Sequence, residues 1–150
     1  MLFMSSSEDH KIVVRELIDI GKNRGFKINE SGKELSELKK KGYRIKPDVV
    51  WKKDGKIRYI FEVDRGAYDN YPKTIYGSML VGIILSKFYD CTFYEITFKS
   101  PNSKKVMRIL KLFKKYVIDS KKIKLIIVPY RKPTPSARRN YYWYLTKKIR

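Results

Sequence analysis

The chain contains very little cysteine and histidine, with one residue of each among its 150. The single cysteine, Cys91, excludes an internal disulfide framework. With a single histidine, His10, the composition also excludes a zinc finger or another zinc site rich in Cys and His. Any metal ion bound by this chain is therefore expected to be held mainly by carboxylates.

The sequence also lacks a hydrophobic run that is long enough to cross a membrane. Its best apolar stretch, residues 75–85, is interrupted by Gly77, Ser78 and Gly82, and it falls well short of the roughly 20 residues that a bilayer requires. The amino terminus lacks the basic start and the cleavage site of a signal peptide. These absences predict a protein of the cytoplasm (the host cytoplasm if the chain is viral) with no membrane partner.

Acidic residues are scarce, since 15 Asp and Glu stand against 35 Lys and Arg and leave a net charge of +20. Residues 97–150 hold 17 basic residues and a single acidic one, Asp119. So much positive charge on a small chain is a large self-repulsion, which a polyanion relieves. We therefore expect nucleic acid as the partner. A basic surface that serves only solubility is the alternative.

Hydrophobic residues make up 43% of the chain, which at this length allows a single domain over residues 1–150 with a substantial core. Helical and strand-like patterns alternate along the sequence, and two consecutive strands, Tyr43–Trp51 and Ile57–Val63, flank a hairpin signal at Asp54-Gly55. The first of these strands is expected to start near Pro47. The pattern predicts an α/β fold with a mixed central β-sheet flanked by helices.

The other predicted elements follow from periodicity and from the residues that end helices. Helices are predicted from the Ser5 cap to Gly25 and over residues 71–88, 103–116 and 136–149, and strands over residues 26–28, 92–98 and 123–128. Residues 29–42 form either a loop or a surface helix. Three prolines between residues 129 and 135 indicate a linker.

Three carboxylates belong to the predicted hairpin. Asp48 follows Pro47 near the start of one strand, and Glu62 and Asp64 end the other. Alternate residues of a strand share a face, so Glu62 and Asp64 point the same way while Val63 points into the core. Pairing across the hairpin brings Asp48 beside Glu62. Since neighbouring carboxylates repel unless a cation lies among them, a Mg²⁺ or Mn²⁺ site is predicted here.

The first helix adds a fourth acidic candidate. Glu16 lies between Ile12 and Ile20 on the apolar face of this helix. A glutamate that faces inward needs a partner or a metal ion, which makes Glu16 a candidate for the same site. A boundary position from which the side chain reaches water is the alternative.

The hairpin motif resembles that of the PD-(D/E)xK nuclease superfamily, which includes restriction endonucleases and archaeal Holliday junction resolvases. Pro47-Asp48 is followed after 13 residues by Glu62-Val63-Asp64 on a hydrophobic strand, and the resemblance covers roughly residues 8–128, including the order of the elements. It implies a restriction-endonuclease-like core. It also implies a divalent-metal-dependent endonuclease that hydrolyses phosphodiester bonds in DNA, with junction or branched DNA as a narrower expectation and a homodimer as the expected assembly.

The resemblance also implies roles for individual residues. Asp48 and Glu62 would ligate Mg²⁺ or Mn²⁺ together with the carbonyl of Val63, and Glu16 would bind the metal through water or hold the site together. The lysine that the family carries two residues after its motif glutamate is Asp64 here. Either Asp64 itself takes part in catalysis, or Lys73 in the next helix (more weakly, Arg65) supplies the positive charge, or catalysis has been lost.

The C-terminal segment, residues 129–150, is basic and aromatic. Phosphate contacts are predicted for residues around it and within it, namely Lys121, Lys122, Lys124, Arg131, Lys132, Arg138, Arg139, Lys147 and Lys148. The run Tyr141-Tyr142-Trp143-Tyr144 would either stack on unpaired bases or, as we prefer, pack a last helix onto the core through Tyr141, Tyr144 and Leu145.

Two other functions compete with the nuclease. One is a catalytically inactive protein that keeps this fold and binds nucleic acid. The other is a viral or structural protein that coats DNA. The composition, rich in lysine and isoleucine, is typical of a thermophilic archaeon or its virus.

Overall fold

The computed structural model describes residues 6–29, 35–64, 73–117, 122–129 and 135–150, with side chains from residue 9 in the first segment and from residue 141 in the last. The elements are α1 (Ser6–Asn23), β1 (Lys27–Asn29), α2 (Ser36–Lys40), β2 (Val49–Lys53), β3 (Lys56–Val63), α3 (Lys73–Tyr89), β4 (Thr92–Phe98), α4 (Ser103–Tyr116), β5 (Ile123–Val128) and α5 (Pro135–Lys148). The strands form one mixed sheet flanked by helices, which confirms the predicted α/β class.

The five strands lie side by side in the order in which they occur in the chain. β2 is antiparallel to its neighbours β1 and β3, whereas β3, β4 and β5 are mutually parallel. The parallel strands therefore end together at one edge of the sheet, where β2 begins. We call this the carboxyl edge, and the opposite edge, where β3, β4 and β5 begin, the amino edge.

A two-residue turn joins β2 to β3, as the Asp54-Gly55 signal predicts. Both residues have positive φ angles, 54° and 73°, which a type I′ turn requires. Lys53 pairs with Lys56 on either side of the turn, and the ladder continues until Val49 faces Phe61. Asp48 and Glu62 are the next residues beyond that last pair, so the hairpin brings them together at the carboxyl edge.

Each face of the sheet has its own hydrophobic core. The face covered by α1 and α5 buries Leu17, Trp51, Phe61, Tyr94 and Leu145 among others. The face covered by α3 and α4 buries Ile60, Met79, Phe93, Val106 and Ile123 among others. Because strand side chains alternate, Glu62 lies on the α3 face with Ile60, while Val63 is buried on the α1 face with Phe61.

The helix of the C-terminal segment belongs to the first of these cores. Tyr141 and Leu145 are buried, which confirms the packing interpretation for these two residues. Tyr144 is partly buried, and its hydroxyl donates a hydrogen bond to a carbonyl of β5. Trp143 points away and is 62% exposed. The aromatic run therefore serves mainly to attach α5 to the sheet.

Some boundaries differ from the sequence prediction. The strand predicted over residues 43–51 begins at Val49, because Pro47 has no N–H and the N–H of Asp48 is bonded to a side chain. The ambiguous stretch 29–42 contains the short helix α2, which buries Leu38. Of the predicted linker, residues 130–134 lie outside the described residues.

An apolar stripe runs along the outer side of α3. Leu80, Ile84 and Phe88 follow one another at intervals of four residues, and 53%, 61% and 40% of their surfaces are exposed.

None of the helices in the described segments combines the length and the apolar character needed to span a bilayer. The homodimer stays a prediction.

The packing of α3 on β4 yields a stability prediction with a built-in control. A Cβ atom at Gly82 would lie 2.4 Å from the ring of Phe93, whereas one at Gly77 on the same helix meets nothing within 4 Å. We expect Gly82→Ala to lower the free energy of unfolding by about 1–3 kcal/mol through overpacking. Gly77→Ala should raise it by up to about 1 kcal/mol, since alanine favours the helix. Urea unfolding followed by circular dichroism measures both, and equal effects would contradict this packing.

Candidate functional site

Asp48 and Glu62 are held together by two hydrogen bonds at the carboxyl edge. The backbone N–H of Asp48 donates to Oε1 of Glu62 at 2.9 Å, and the backbone N–H of Val63 donates to Oδ2 of Asp48 at 2.8 Å. Side-chain oxygens thus replace the backbone carbonyls where the β2–β3 ladder stops. The two carboxyl groups are fixed beside each other, as the hairpin argument predicts.

His10 of α1 is a member of the site to which sequence analysis assigned no chemistry. Its Nε2 lies 3.1 Å from Oδ1 of Asp48, and the imidazole is about one-third exposed. Both oxygens of Asp48 are therefore engaged, one by α1 and one by β3. The helical spacing of His10 with Val13 and Leu17 was the available signal, because it places His10 on the buried side of α1.

Glu95 of β4 is the second residue that sequence analysis missed. The parallel pairing sets Glu95 directly beside Glu62, and the N–H of Asp64 donates to the carbonyl of Ile96 one residue further on. Glu95 is fully buried. Its signal in the sequence is a lone acidic residue inside the otherwise uncharged strand Thr92–Phe98. Asp48, Glu62, Asp64 and Glu95 thus belong to one group, which we call the acidic cluster.

The crowding of these carboxyl groups changes their acidity. Burial raises the pKa of Glu62 to about 8, and the negative charges of Asp48 and Asp64 act in the same direction, against the hydrogen bond from the Asp48 N–H. Burial also raises the pKa of Glu95 well above its ordinary value, reinforced by a hydrogen bond with the Asp64 carboxyl group and by the charges of Asp64, Glu62 and Asp48. Without a cation, the cluster therefore keeps protons at neutral pH.

Two predicted site residues lie apart from the acidic cluster. Glu16 is buried in α1, and the pKa of its carboxyl is raised by burial first and by Asp19 second. It is six residues beyond His10, about 9 Å further along the helix axis, and no contact joins it to the cluster within the described residues. Lys73 begins α3 with an exposed side chain, and no hydrogen bond or ion pair connects it to the described part of the chain. Arg65 lies outside the described residues.

The acidic cluster offers the oxygen ligands that a hard divalent cation prefers. Carboxylate oxygens predominate, and several of them are buried without any cationic partner among the described residues. Over the described segments, however, no three His, Cys, Asp or Glu side chains are close enough together to hold a metal ion. A cation bound to Asp48 and Glu62 would therefore need further ligands from backbone carbonyls, such as that of Val63, and from water.

A cleft opens next to Glu62. Its volume is about 380 Å³, and it lies between the segment that precedes β2 and the surface of α3. Arg44 and Lys46 line it together with Glu62, and Gly77 and Ser78 of α3 form part of the opposite wall. The cleft thus combines a carboxyl group with two cationic side chains that sequence analysis did not single out.

Those of the predicted phosphate-binding residues that the structure describes lie at the other end of the sheet. Lys122 and Lys124 stand at the start of β5 on the amino edge, and Lys122 is paired with the exposed Asp90. Lys147 and Lys148 end α5 close to Arg150, whose backbone is bonded to the hydroxyl of Tyr94. Four of the predicted residues therefore lie at the amino edge, away from the acidic cluster. Lys121, Arg131 and Lys132, and the side chains of Arg138 and Arg139, lie outside what the structure describes.

Comparison of the chain with protein-family models, with curated proteins and with solved structures finds no match.

The raised pKa of Glu62 predicts how stability depends on pH. Between its ordinary pKa of 4.5 and about 8, the folded chain holds a proton on Glu62 that the unfolded chain releases. Since the folded state then binds more protons, stability should fall as pH rises through this interval. We expect the thermal midpoint in EDTA to drop between pH 5 and pH 8.5, and to drop less in Glu62→Gln. The exposed Glu37→Gln serves as the control, and parallel curves for all three proteins would contradict the assignment.

Proposed function

We propose that the chain is a divalent-metal-dependent nuclease that hydrolyses phosphodiester bonds in DNA, with a restriction-endonuclease-like core. One observation carries the proposal, namely that Asp48 and Glu62 are locked side by side at the carboxyl edge. Ligands of α/β proteins commonly bind outside the carboxyl ends of the strands, and this edge is where the acidic cluster lies. The order of the elements agrees with the PD-(D/E)xK resemblance.

Asp48, Glu62 and the carbonyl of Val63 would hold Mg²⁺ or Mn²⁺ in this proposal. When bound, the cation supplies a water of lowered pKa as the nucleophile and neutralises charge on the scissile phosphate. His10 and the N–H of Val63 fix the orientation of Asp48, so its oxygens need no reorganisation when the ligand arrives. Each bonded carboxylate oxygen keeps a further lone pair for coordination.

The cleft beside Glu62 supports a polyanionic substrate. Arg44 and Lys46 are exposed and line the cleft with Glu62, so a phosphate placed there would contact cationic groups while it faced the carboxyl group. Phosphate contacts of this kind position nucleic acid without reading its sequence. We infer that these two side chains, rather than the lysines of the amino edge, bind the phosphates next to the scissile bond. Four-way junctions and other branched DNA are the first substrates to test.

A non-catalytic protein that binds nucleic acid is the second candidate. It is favoured by the environment of Asp64, which replaces the family's lysine. Within the described residues, no ammonium or guanidinium group forms an ion pair with Glu62 or Asp64. Such a protein would use the basic surfaces alone, and its binding would be indifferent to a chelator.

The nuclease proposal predicts that Asp48→Asn and Glu62→Gln each reduce cleavage to background. Plasmid, linear duplex, four-way junction and RNA would be incubated with Mg²⁺, Mn²⁺ or EDTA, and products would be separated on gels. The control Glu37→Gln removes an exposed carboxylate of α2 and should cleave as the wild type does. Binding in Ca²⁺, followed by fluorescence anisotropy, should survive in every variant. Cleavage that persists in both cluster variants, or that proceeds in EDTA, would rule the site out.

The positions of the basic side chains predict different effects for two double substitutions, each of which removes two positive charges. Arg44→Ala with Lys46→Ala should weaken duplex binding and lower the slope of log K against log salt by about 1.8, if each side chain contacts one phosphate. It should also slow cleavage at saturating DNA. Lys147→Ala with Lys148→Ala should leave that saturated rate unchanged, since these residues lie at the amino edge. A larger loss of saturated rate in the second pair would refute the proposed substrate position.

A further inference from the structure

Four oxygen atoms at the carboxyl edge are buried, and no group outside Asp64, Glu95 and Thr97 forms a hydrogen bond with them in the described part of the chain. They are Oδ2 of Asp64, both carboxyl oxygens of Glu95 and the hydroxyl of Thr97. Glu95 and Thr97 are completely buried. A buried polar group that receives no hydrogen bond or cation from its surroundings is unfavourable, because it has lost its hydration. Several such atoms on neighbouring residues indicate a place that binds a ligand.

The sheet itself brings these atoms together. Glu62 pairs with Glu95 and Val63 with Ile96, so Asp64 and Thr97 stand at the next position of the same two strands. Side-chain alternation sets all of these polar residues on the α3 face, because Val63 and Ile96 belong to the core under α1. Neighbouring strands lie about 4.8 Å apart. A single small ion between β3 and β4 would therefore be within reach of Asp64, Glu95 and Thr97.

The surroundings favour a cation over a water molecule. All the carboxyl groups near Glu95 belong to the acidic cluster, so a cation that displaces their protons would be surrounded by carboxylate oxygens and by negative charge. A water molecule offers only two protons and no compensating charge, whereas a hard divalent cation satisfies carboxylate and hydroxyl oxygens together. No described cationic side chain forms an ion pair with Asp64 or Glu95.

We propose that Asp64, Glu95 and Thr97 form a second, inner cation site, distinct from the position on Asp48 and Glu62, which takes Mg²⁺ or Mn²⁺. The inner site uses two carboxylates and one hydroxyl, with water completing the coordination. The binding itself is a property of these three residues, while its catalytic role rests on the proposed function. In that role, the inner cation would supply the positive charge that the family's lysine supplies where Asp64 stands here.

Cation binding without any substrate tests the inference. Titration with Mn²⁺, followed by electron paramagnetic resonance of the free ion, should give two sites per chain for the wild type. Glu95→Gln keeps the shape of the side chain and should leave one site. Asp48→Asn should remove the other site and spare the inner one. Ser86→Ala, which alters a buried hydroxyl of α3, is the matched control and should retain two sites.

Thr97→Val supplies a second variant that conserves shape. It should weaken one of the two sites by about tenfold or more, by analogy with the cost of removing groups around a metal. This readout keeps the inference testable if Glu95→Gln does not fold. Two undiminished sites in Glu95→Gln, or in Thr97→Val, would overturn the inner site and leave the orphaned oxygens to water or to a shared proton.

The outcomes separate this inference from the nuclease proposal. Two Mn²⁺ sites that depend on Glu95 and Asp48, in a protein that cleaves no nucleic acid, would establish the inner site and reject the nuclease. Cleavage that needs Asp48 and Glu62, in a protein whose Glu95→Gln variant still binds two cations, would establish the nuclease and reject the inner site.

Discussion

The acidic cluster depends on a single irregularity in the pairing of β2 with β3. Lys52 faces Ile57 but Trp51 faces Tyr59, so Arg58 is an extra residue in β3. Without this bulge the register would shift by one, and Asp48 would stand opposite Phe61 instead of Glu62. A shift of one residue also exchanges the two faces of a strand. The bulge therefore decides that the carboxylates meet, while Phe61 and Val63 remain in the core under α1.

Once the carboxylates meet, their environment limits the protonation states that the acidic cluster can adopt in the folded chain. Glu95 and Glu62 are removed from water, and their neighbours are also acidic, so the fully ionised cluster is unfavourable in the absence of a cation. Within the described segments, no basic side chain forms an ion pair with Glu62 or Glu95, and the lysines of the amino edge lie at the other end of the sheet. Protonation or a bound cation must compensate instead. A cation that bound at the carboxyl edge would therefore also stabilise the fold.

The sequence predicts the elements and three of the four carboxylates of the acidic cluster, and there are physical reasons why it does not reveal Glu95 and His10. Asp48 and Glu62 followed from the Asp54-Gly55 turn, because a two-residue turn fixes the pairing to within one position. The position of the bulge had no signal of its own. Glu95 was missed because β4 lacks the alternation that reveals which face a residue occupies. His10 and Glu16 both lie on the inward side of α1, and only the position of that helix along the sheet determines which of them reaches the edge. Glu16 was therefore a reasonable candidate that the structure places elsewhere.

The fold separates the basic residues that sequence analysis singled out from the acidic cluster. Four of the lysines predicted to contact phosphate begin β5 or end α5, so they lie at the amino edge rather than beside the acidic cluster. Screened attraction reaches about 8–10 Å at physiological salt, so these lysines do not offset the charge of the cluster across the sheet. A phosphate approaching ionised carboxylates at the carboxyl edge is repelled unless positive charge is added there. Arg44 and Lys46 supply part of it from the surface. Under the proposed nuclease function, bound metal ions would supply the remainder, because the carboxyl groups of the cluster have no cationic partner among the described residues.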